Sequence, residues 1–355
     1  MAHALEQGLA RVAGADVHVR TADLFTYGRP TLAGRSTRLY SPMIRYAPWL
    51  YGLLYHVSNR PGVYAAVAER AGSGVRRWAR QLLVETEPDV VVSVHPLCNL
   101  VTLQALEDLG WSTPMAAVVT ELVSVHTSWV DRRIALYTTA TDEATAAVLA
   151  HGAPADRVRC LGLPVDPRFG NVPLHPADVR RELGLDVDRL TVLMMGGGEG
   201  AGRLGTLVQA VSKARLNLQL IVVCGRNERL RQRLLRRSYP FPVRVLGFVR
   251  TVPELMHAAD LVVTKGGPQT IAEALAAGRP VLLTQVLPGQ EEGNGEFVTR
   301  HGVGHVATSP GRLVALLRQL AAAPGELRRL GENACRIARR DAAMSVARAI
   351  LELAS

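Results

Sequence analysis

Short apolar runs, separated by stretches of helical period, recur along the chain in two blocks. In the first block Asp16 to Arg20, Asp89 to Val94, Met115 to Thr120, Ile134 to Thr138 and Arg157 to Leu161 read as strands, with helical patterns over Pro61 to Glu85 and Asp142 to His151. In the second, Leu190 to Met195, Leu218 to Cys224, Val243 to Leu246, Asp260 to Thr264 and Pro280 to Thr284 read as strands that again alternate with helices. Such alternation predicts an α/β fold with parallel sheets and helices on both faces. The blocks meet at Gly162-Leu163-Pro164-Val165-Asp166-Pro167-Arg168-Phe169-Gly170, whose prolines and glycines suit a linker.

Composition agrees with two packed domains. At 355 residues the chain exceeds one ordinary core, and 48% hydrophobic against 20% charged residues goes with globular material throughout. Cys98, Cys160, Cys224 and Cys335 lack metal-ligand spacing and read as buried free thiols in a reducing compartment. No signal peptide is evident, and no apolar run approaches the roughly 18 residues a membrane span needs. A soluble or peripheral protein is expected.

The net charge of +10 becomes informative once it is located. Residues 29–80 hold nine arginines against one acid, Glu69, interleaved with Met43, Ile44, Tyr46, Trp49, Leu50, Tyr51, Leu53, Leu54 and Tyr55. Arginine mixed with aromatic and aliphatic residues suits the headgroup region of an anionic bilayer, and an amphipathic helix packed on its own domain is the other reading. A second cluster, Arg226 to Arg237, reads as a solvated helix face. No recognition helix, zinc finger or RNA-binding motif accompanies this charge, so nucleic acid is not the expected partner.

The candidate chemistry concentrates in Thr264-Lys265-Gly266-Gly267-Pro268-Gln269-Thr270-Ile271-Ala272-Glu273 and in Pro288-Gly289-Gln290-Glu291-Glu292-Gly293-Asn294. A buried strand, a glycine turn expected to bend tightly, and a helix opening at once would aim free N–H groups and a positive dipole end at a phosphate. Lys265 is one of only two lysines in a chain with 39 arginines. Glu273, one helical turn past Thr270, could bind the two hydroxyls of a ribose or serve as a helix-surface acid. Gly196-Gly197-Gly198-Glu199-Gly200 also joins a strand to a helix, and its backbone could approach a phosphate or an acceptor. Asp186-Val187-Asp188 precedes the first strand of its block and is not read as a metal site.

The run TKGGPQTIAEALAAGRPVLLTQVLPGQEEGN resembles the donor-binding region of monogalactosyldiacylglycerol synthases and bacterial processive diacylglycerol glucosyltransferases. It is more distantly similar to the lipid-intermediate N-acetylglucosaminyltransferase of peptidoglycan synthesis. Ser93-Val94-His95-Pro96, Thr120-Glu121-Leu122 with His126-Thr127-Ser128-Trp129, Leu161-Gly162-Leu163-Pro164-Val165, Cys224-Gly225-Arg226-Asn227 and Gly247-Phe248-Val249 match in the same order. The resemblance implies a GT-B fold of two Rossmann-like domains, 1–165 for acceptor and membrane and 166–355 for the donor, with a final helix, about 337–355, packing back on the first. It implies metal-independent transfer with inversion from a UDP-hexose, a substrate, so no cofactor is expected. Phe248 and Val249 would meet the uracil, Glu273 the ribose, and Gly266, Gly267 and Thr270 the diphosphate. Gln290, Glu291 and Asn294 would meet the sugar, while Gly197, Gly198, Arg226 and Lys265 complete the donor set.

Inversion needs a general base near the acceptor hydroxyl, and Glu121, His126 and His95 are the candidates, each standing near a strand end of the first block. Relatives in this family open with an apolar strand and a loop resembling G-G-G-H, whereas Met1 to Leu9 matches the helix that follows. A start upstream of Met1, or a rearranged first sheet, is therefore expected, since buried unpaired backbone is costly. The expected activity is transfer of galactose or glucose to diacylglycerol or a similar lipid, at the cytoplasmic face of the cell membrane. A truncated, non-catalytic UDP-sugar-binding protein and a transferase acting on a small-molecule acceptor are the alternatives.

Overall fold

The computed structural model describes residues 1–26, 43, 47–60, 62–64, 73–196 and 203–354. Gly197 and Gly198, and much of the basic stretch 29–80, lie outside the described residues. The chain divides into two compact units: Met1–Pro164 with Leu287–Gly293 and Asp341–Ser355, and Val165–Val286 with Asn294–Arg340.

In the first unit β1 (Val91–Ser93), β2 (Met115–Val118), β3 (Leu136–Thr139) and β4 (Val158–Cys160) form one parallel sheet in that order. The register sets Val92 beside Ala116, Ala117 beside Tyr137 and Thr138 beside Arg159. Successive strand residues face opposite ways, and here both faces are covered. Met115 and Ala117 pack with Leu103, Trp129, Tyr137 and Val148, while Ala116 and Val118 pack with Leu5, Leu9, Val346 and Ile350 from the helices Ala2–Ala13 and Ala342–Ala354. Local caps set the helices between the strands. Thr141 accepts from the Ala144 N–H at 3.0 Å ahead of Asp142–Ala150, and Gly110, at φ 67°, ends Pro96–Leu109.

One expected strand does not form. Gly14–Asp16 is a 3-10 turn, and although Val17 is extended, Asp16 to Arg20 carries no ladder. A strand is defined by its hydrogen-bonded neighbour, and among the described residues β1 is the edge of an unbroken sheet and pairs with β2 alone. The alternating pattern of the segment instead lays Val19 against the cluster of Leu5 and Val346.

In the second unit β5 (Thr191–Met195), β6 (Gln219–Val223), β7 (Val243–Leu246), β8 (Leu261–Thr264), β9 (Val281–Leu283) and β10 (Gly304–Val306) form a six-stranded parallel sheet in the order β7-β6-β5-β8-β9-β10. The chain starts in the middle at β5, winds out to β7, and returns through β8 to the other edge. This doubly wound order puts its switch point between the carboxyl ends of β5 and β8, where such sheets bind ligands. β10 was not among the expected strands, because Gly304-His305-Val306 is short and contains a glycine and a histidine.

Polar groups pin the starts of the inner strands of this sheet. Arg180 pairs with Asp260 at 2.8 Å and donates to the Ala258 and Val187 carbonyls, and Asp260 also accepts from the Thr191 N–H. Gln219 accepts from the Asp186 N–H and donates to its carbonyl, while Asp186 Oδ1 accepts from the Asp188 N–H. The Asp186-Val187-Asp188 run is thus a braced turn, and the described residues contain no cluster of three or more His, Cys, Asp or Glu suited to a metal. All four cysteines are free, but only Cys224 is fully buried and Cys335 is exposed, which corrects the expectation of uniform burial. None of the described helices is long and apolar enough to cross a membrane.

Candidate functional site

The switch point of the second unit carries a braced turn at a helix start. After β8, the Gly266 N–H donates to the Gln285 carbonyl at 2.6 Å, and the Gly266 carbonyl accepts from Asn294 Nδ2 at 2.7 Å. Gly267 caps helix Pro268–Ala276 at φ −65°, ψ 130°, a conformation open to any residue. The expectation that this glycine supplies conformational freedom for a tight turn is therefore corrected: Gly266 and Gly267 are both buried, and neither takes a positive φ. Pro268 opens the helix where a missing N–H costs nothing, and the first-turn N–H groups, Thr270 included, face outward with the positive end of the dipole. Lys265 is exposed beside them and, with Gly196, Arg203, Thr284 and Gln285, lines a recess at the ends of β5 and β8.

On the same helix Glu273 lies one turn beyond Thr270 and accepts from Gln269 Nε2 at 3.0 Å. Burial pushes its carboxyl up to about 7, against the pull of that hydrogen bond. At the ends of β6 and β7, the Arg226 guanidinium sits 5.2 Å from the Phe248 ring centroid, and Phe248 is 57% exposed, with Val249 half-buried beside it. A large exposed aromatic under a cation is a stacking surface. Asn294 is buried, with its Oδ1 unpartnered, and its Nδ2 braces the Gly266 turn.

The first unit gathers a second set of groups around helix Pro48–Ser58. Glu121, 3% exposed at the end of β2, accepts from the His126 N–H at 3.1 Å, and burial pushes its carboxyl up to about 8. His126 Nδ1 accepts from the Ser128 N–H, which places the proton of the neutral ring on Nε2, 3.1 Å from Ser58 Oγ. Burial and His151 lower its pKa to about 4. His95 is built alike: Nδ1 accepts from the Leu97 N–H at 3.3 Å, and burial holds its pKa below the usual value while Asp23 opposes. Asn59 accepts from the Thr127 N–H at 2.6 Å, so the end of Pro48–Ser58 is tied to the Glu121–Trp129 segment twice.

The segment Leu287–Gly293 belongs to the same unit. Its Glu291 is buried and closes the loop on itself by accepting from the Leu287 N–H at 3.0 Å. Gln290 Oε1 accepts from the Tyr51 hydroxyl at 2.9 Å, and the Gly293 N–H donates to Ser124 Oγ at 3.3 Å.

Comparison with known proteins now decides the family. The family model for monogalactosyldiacylglycerol (MGDG) synthase matches residues 1–165, and that for the glycosyltransferase family 28 C-terminal domain matches residues 191–309. Monogalactosyldiacylglycerol synthase 1 of Arabidopsis thaliana is 31% identical over 364 residues, which cover 99% of this chain and 68% of that protein. The Spinacia oleracea synthase is 30% identical over 362 residues, with 99% and 69% covered. The chain belongs to the monogalactosyldiacylglycerol synthase family. It is a glycosyltransferase of that family, and its fold is that of the GT-B enzymes. MurG of Acinetobacter baumannii superposes with a TM-score of 0.58 at 18% identity, covering 78% of this chain and 77% of that one. Anabaena Alr3699/HepE, solved with UDP-glucose, gives 0.54 at 18% identity, with 81% and 82% covered.

Within the family frame, the structure sets the candidate residues in two groups. Lys265, Gly266, Gly267, Thr270, Glu273, Asn294, Arg226, Phe248 and Val249 lie in the second unit, whereas Glu121, His126, His95, Gln290 and Glu291 lie in the first. Ser58, Asn59, Ser124 and Arg203 were not foreseen, and Tyr51 and Tyr55, expected within the bilayer-facing stretch, instead bond to Gln290 and to the Ser124 carbonyl. Only the four-residue spacing of Tyr51 and Tyr55, one face of a helix, could have flagged these two.

Proposed function

We propose that the protein transfers a hexose, galactose or glucose, from a UDP-sugar to the free hydroxyl of diacylglycerol or a similar lipid, with inversion at the anomeric carbon. The observation that carries this reading is the helix start at the sheet switch point, where Asn294 braces Gly266 and where Lys265, just ahead of the turn, lines a recess with Arg203. The names of the relatives supply galactose and diacylglycerol, and HepE was solved with UDP-glucose. Gly266, Gly267 and Thr270 hold the diphosphate, Glu273 the ribose, Phe248, Val249 and Arg226 the uracil, and Gln290 the sugar. Asn294 and Glu291 act one step back, on the backbone of the loops that make these contacts.

In the transfer, the acceptor oxygen bonds to the anomeric carbon as the bond from that carbon to the diphosphate oxygen breaks, and the electron pair leaves with UDP. The growing negative charge meets preorganised N–H groups and the cations Lys265 and Arg203, so the stabilisation comes from the chain itself. The hydroxyl proton passes to Glu121. His95 and His126 each accept a backbone N–H at Nδ1, so their neutral rings present Nε2–H as a donor. Glu121 takes the proton from its ionised form, a strong base with a pKa near 8 whose share grows as pH rises through that value.

The outer face of helix Pro48–Ser58 exposes Trp49 by 68%, Leu53 by 53%, Leu54 by 49% and Val57 by 42%, within the arginine-rich stretch 29–80. That combination fits peripheral docking on an anionic bilayer at the inner face of the cell membrane. The test is incubation with labelled UDP-galactose or UDP-glucose and phosphatidylglycerol vesicles carrying diacylglycerol. Lipid-linked label that is lost in Glu121→Gln at unchanged UDP affinity, and kept in chelator, is expected. UDP binding without labelled lipid points to a nucleotide-binding protein, and turnover indifferent to vesicles points to a small-molecule acceptor.

A further inference from the structure

Helix Pro48–Ser58 has two faces with different business. Trp49, Leu53, Leu54 and Val57 are exposed on one. Tyr51, Gly52, Tyr55 and Ser58 occupy the other, and every one of them touches a loop that the proposed reaction uses. The Tyr51 hydroxyl donates to Gln290 Oε1 at 2.9 Å, and the Tyr55 hydroxyl donates to the Ser124 carbonyl at 3.0 Å. Two glycines, one on each partner, let helix and loop approach this closely. A Cβ on Gly52 would stand 2.6 Å from the Cβ of Pro288, and one on Gly289, at φ +83°, would stand 2.6 Å from the ring of Tyr55. A side chain at either glycine would thus collide with its partner, so helix and loop fit closely only because both positions lack a Cβ.

The hydrogen bond has a directional consequence. With the Tyr51 phenol donating to Oε1, the Gln290 amide keeps both N–H donors for a ligand, and the donors suit the hydroxyl oxygens of a hexose. Without the phenol, nothing in this contact fixes which end of the amide is presented.

We propose that Tyr51 is a positioning residue for the donor sugar, acting through Gln290, and that it makes the apolar helix a link between the lipid surface and the sugar-reading loop. This rests on the proposed roles of Gln290 and of the exposed helix face. A bilayer that takes up Trp49 and Leu53 holds the helix in one pose, and the helix holds the loop. By linkage, a surface that tightens UDP-hexose binding is itself bound more tightly in the presence of UDP-hexose, by the same factor. UDP lacks the sugar and does not take part.

The experiment uses the full chain and phosphatidylglycerol vesicles without diacylglycerol, with titration calorimetry of UDP-galactose and UDP and with vesicle flotation. Vesicles are expected to tighten UDP-galactose about three- to tenfold, the range of one hydrogen bond, and to leave UDP unchanged. Tyr51→Phe, which keeps the ring and its packing, is expected to lose that gain while still floating with vesicles and keeping wild-type UDP affinity. Adding it to Gln290→Ala is expected to cost nothing further. A wild-type protein that does not float sinks the lipid reading and the link together. Normal flotation with the same UDP-galactose gain in Tyr51→Phe, or full additivity with Gln290→Ala, overturns the link alone.

Discussion

The Asn294 side-chain amide donates to the carbonyl of Gly266 at 2.7 Å, so the start of one helix in the second unit holds the turn that opens another. Both residues are buried. Removing the amide leaves the carbonyl without its partner in a place water does not reach, which costs about 1–3 kcal/mol. Asn294→Ala is therefore expected to lower the melting temperature and weaken UDP binding together. Asn294→Asp should be worse, since it sets an acceptor against an acceptor and a negative charge beside the diphosphate. Calorimetric melting and UDP titration of both variants provide the check, and an aspartate variant that binds UDP better than alanine would argue against this placement.

Glu273, if it holds the ribose as proposed, ties nucleotide affinity to pH. Its carboxyl is raised to about 7, mainly by burial, and ribose hydroxyls need the ionised form as acceptor. UDP affinity is thus expected to climb as pH rises through about 7 and then level off. The diphosphate titrates as well, so the measure is the difference between wild type and Glu273→Gln, whose curve retains only the phosphate's contribution. Parallel curves would show that Glu273 does not face the ribose.

Much of this second unit was legible in the sequence because its strands are buried on both faces and read as unbroken apolar runs, as in Leu261-Val262-Val263. Gly196, Gly225, Gly247 and Gly266 then marked where β5, β6, β7 and β8 end. What stayed hidden depends on partners far along the chain. Asp16 to Arg20 has a strand's alternation, but no neighbour among the described residues ladders with it. The bond from Tyr51 to Gln290 joins positions that no local pattern connects, and Glu291, a sugar ligand by motif, turns back onto the Leu287 N–H. The turn at Gly266-Gly267 falls between strand and helix as expected, yet neither glycine takes a positive φ.

Glu121 and His126 give the first unit opposite pH responses. The Glu121 carboxyl is raised to about 8, so its contribution to stability is full below the ordinary carboxylate range and is lost as pH rises through 8. The His126 imidazole is lowered to about 4, so its contribution is full above the ordinary histidine value and is lost as pH falls through 4. Glu121→Gln keeps an acceptor for the His126 N–H. It is expected to melt above wild type at pH 9 and close to it at pH 4, a comparison that scanning calorimetry makes directly. An unchanged gap across this range would mean that the carboxyl is not held protonated by the fold.

The edge strand β10 provides a test of how the sheet supports the phosphate turn. Gly304 pairs with Val281 of β9, and a Cβ at Gly304 would lie 1.8 Å from the Val281 carbonyl oxygen and 2.8 Å from its carbon, both backbone atoms that cannot rotate away. Gly304→Ala must therefore push β10 off β9, and overpacking of this kind costs up to about 3 kcal/mol. The strain has a path to the site, because β9 leads into Thr284, whose N–H donates to the Thr264 carbonyl at the end of β8, and into Gln285, whose carbonyl accepts from the Gly266 N–H. Gly311, in the first turn of helix Pro310–Ala322, has open space around its missing Cβ, so Gly311→Ala is a control that should gain up to about 1 kcal/mol from helix propensity. Hydrogen exchange read at the amides of β9 and β10 should show lost protection in Gly304→Ala and none in Gly311→Ala, with UDP affinity falling only in the former. Retained protection at Val281 in Gly304→Ala would mean that the edge yields without disturbing β9, and the proposed path to Gly266 would fail with it.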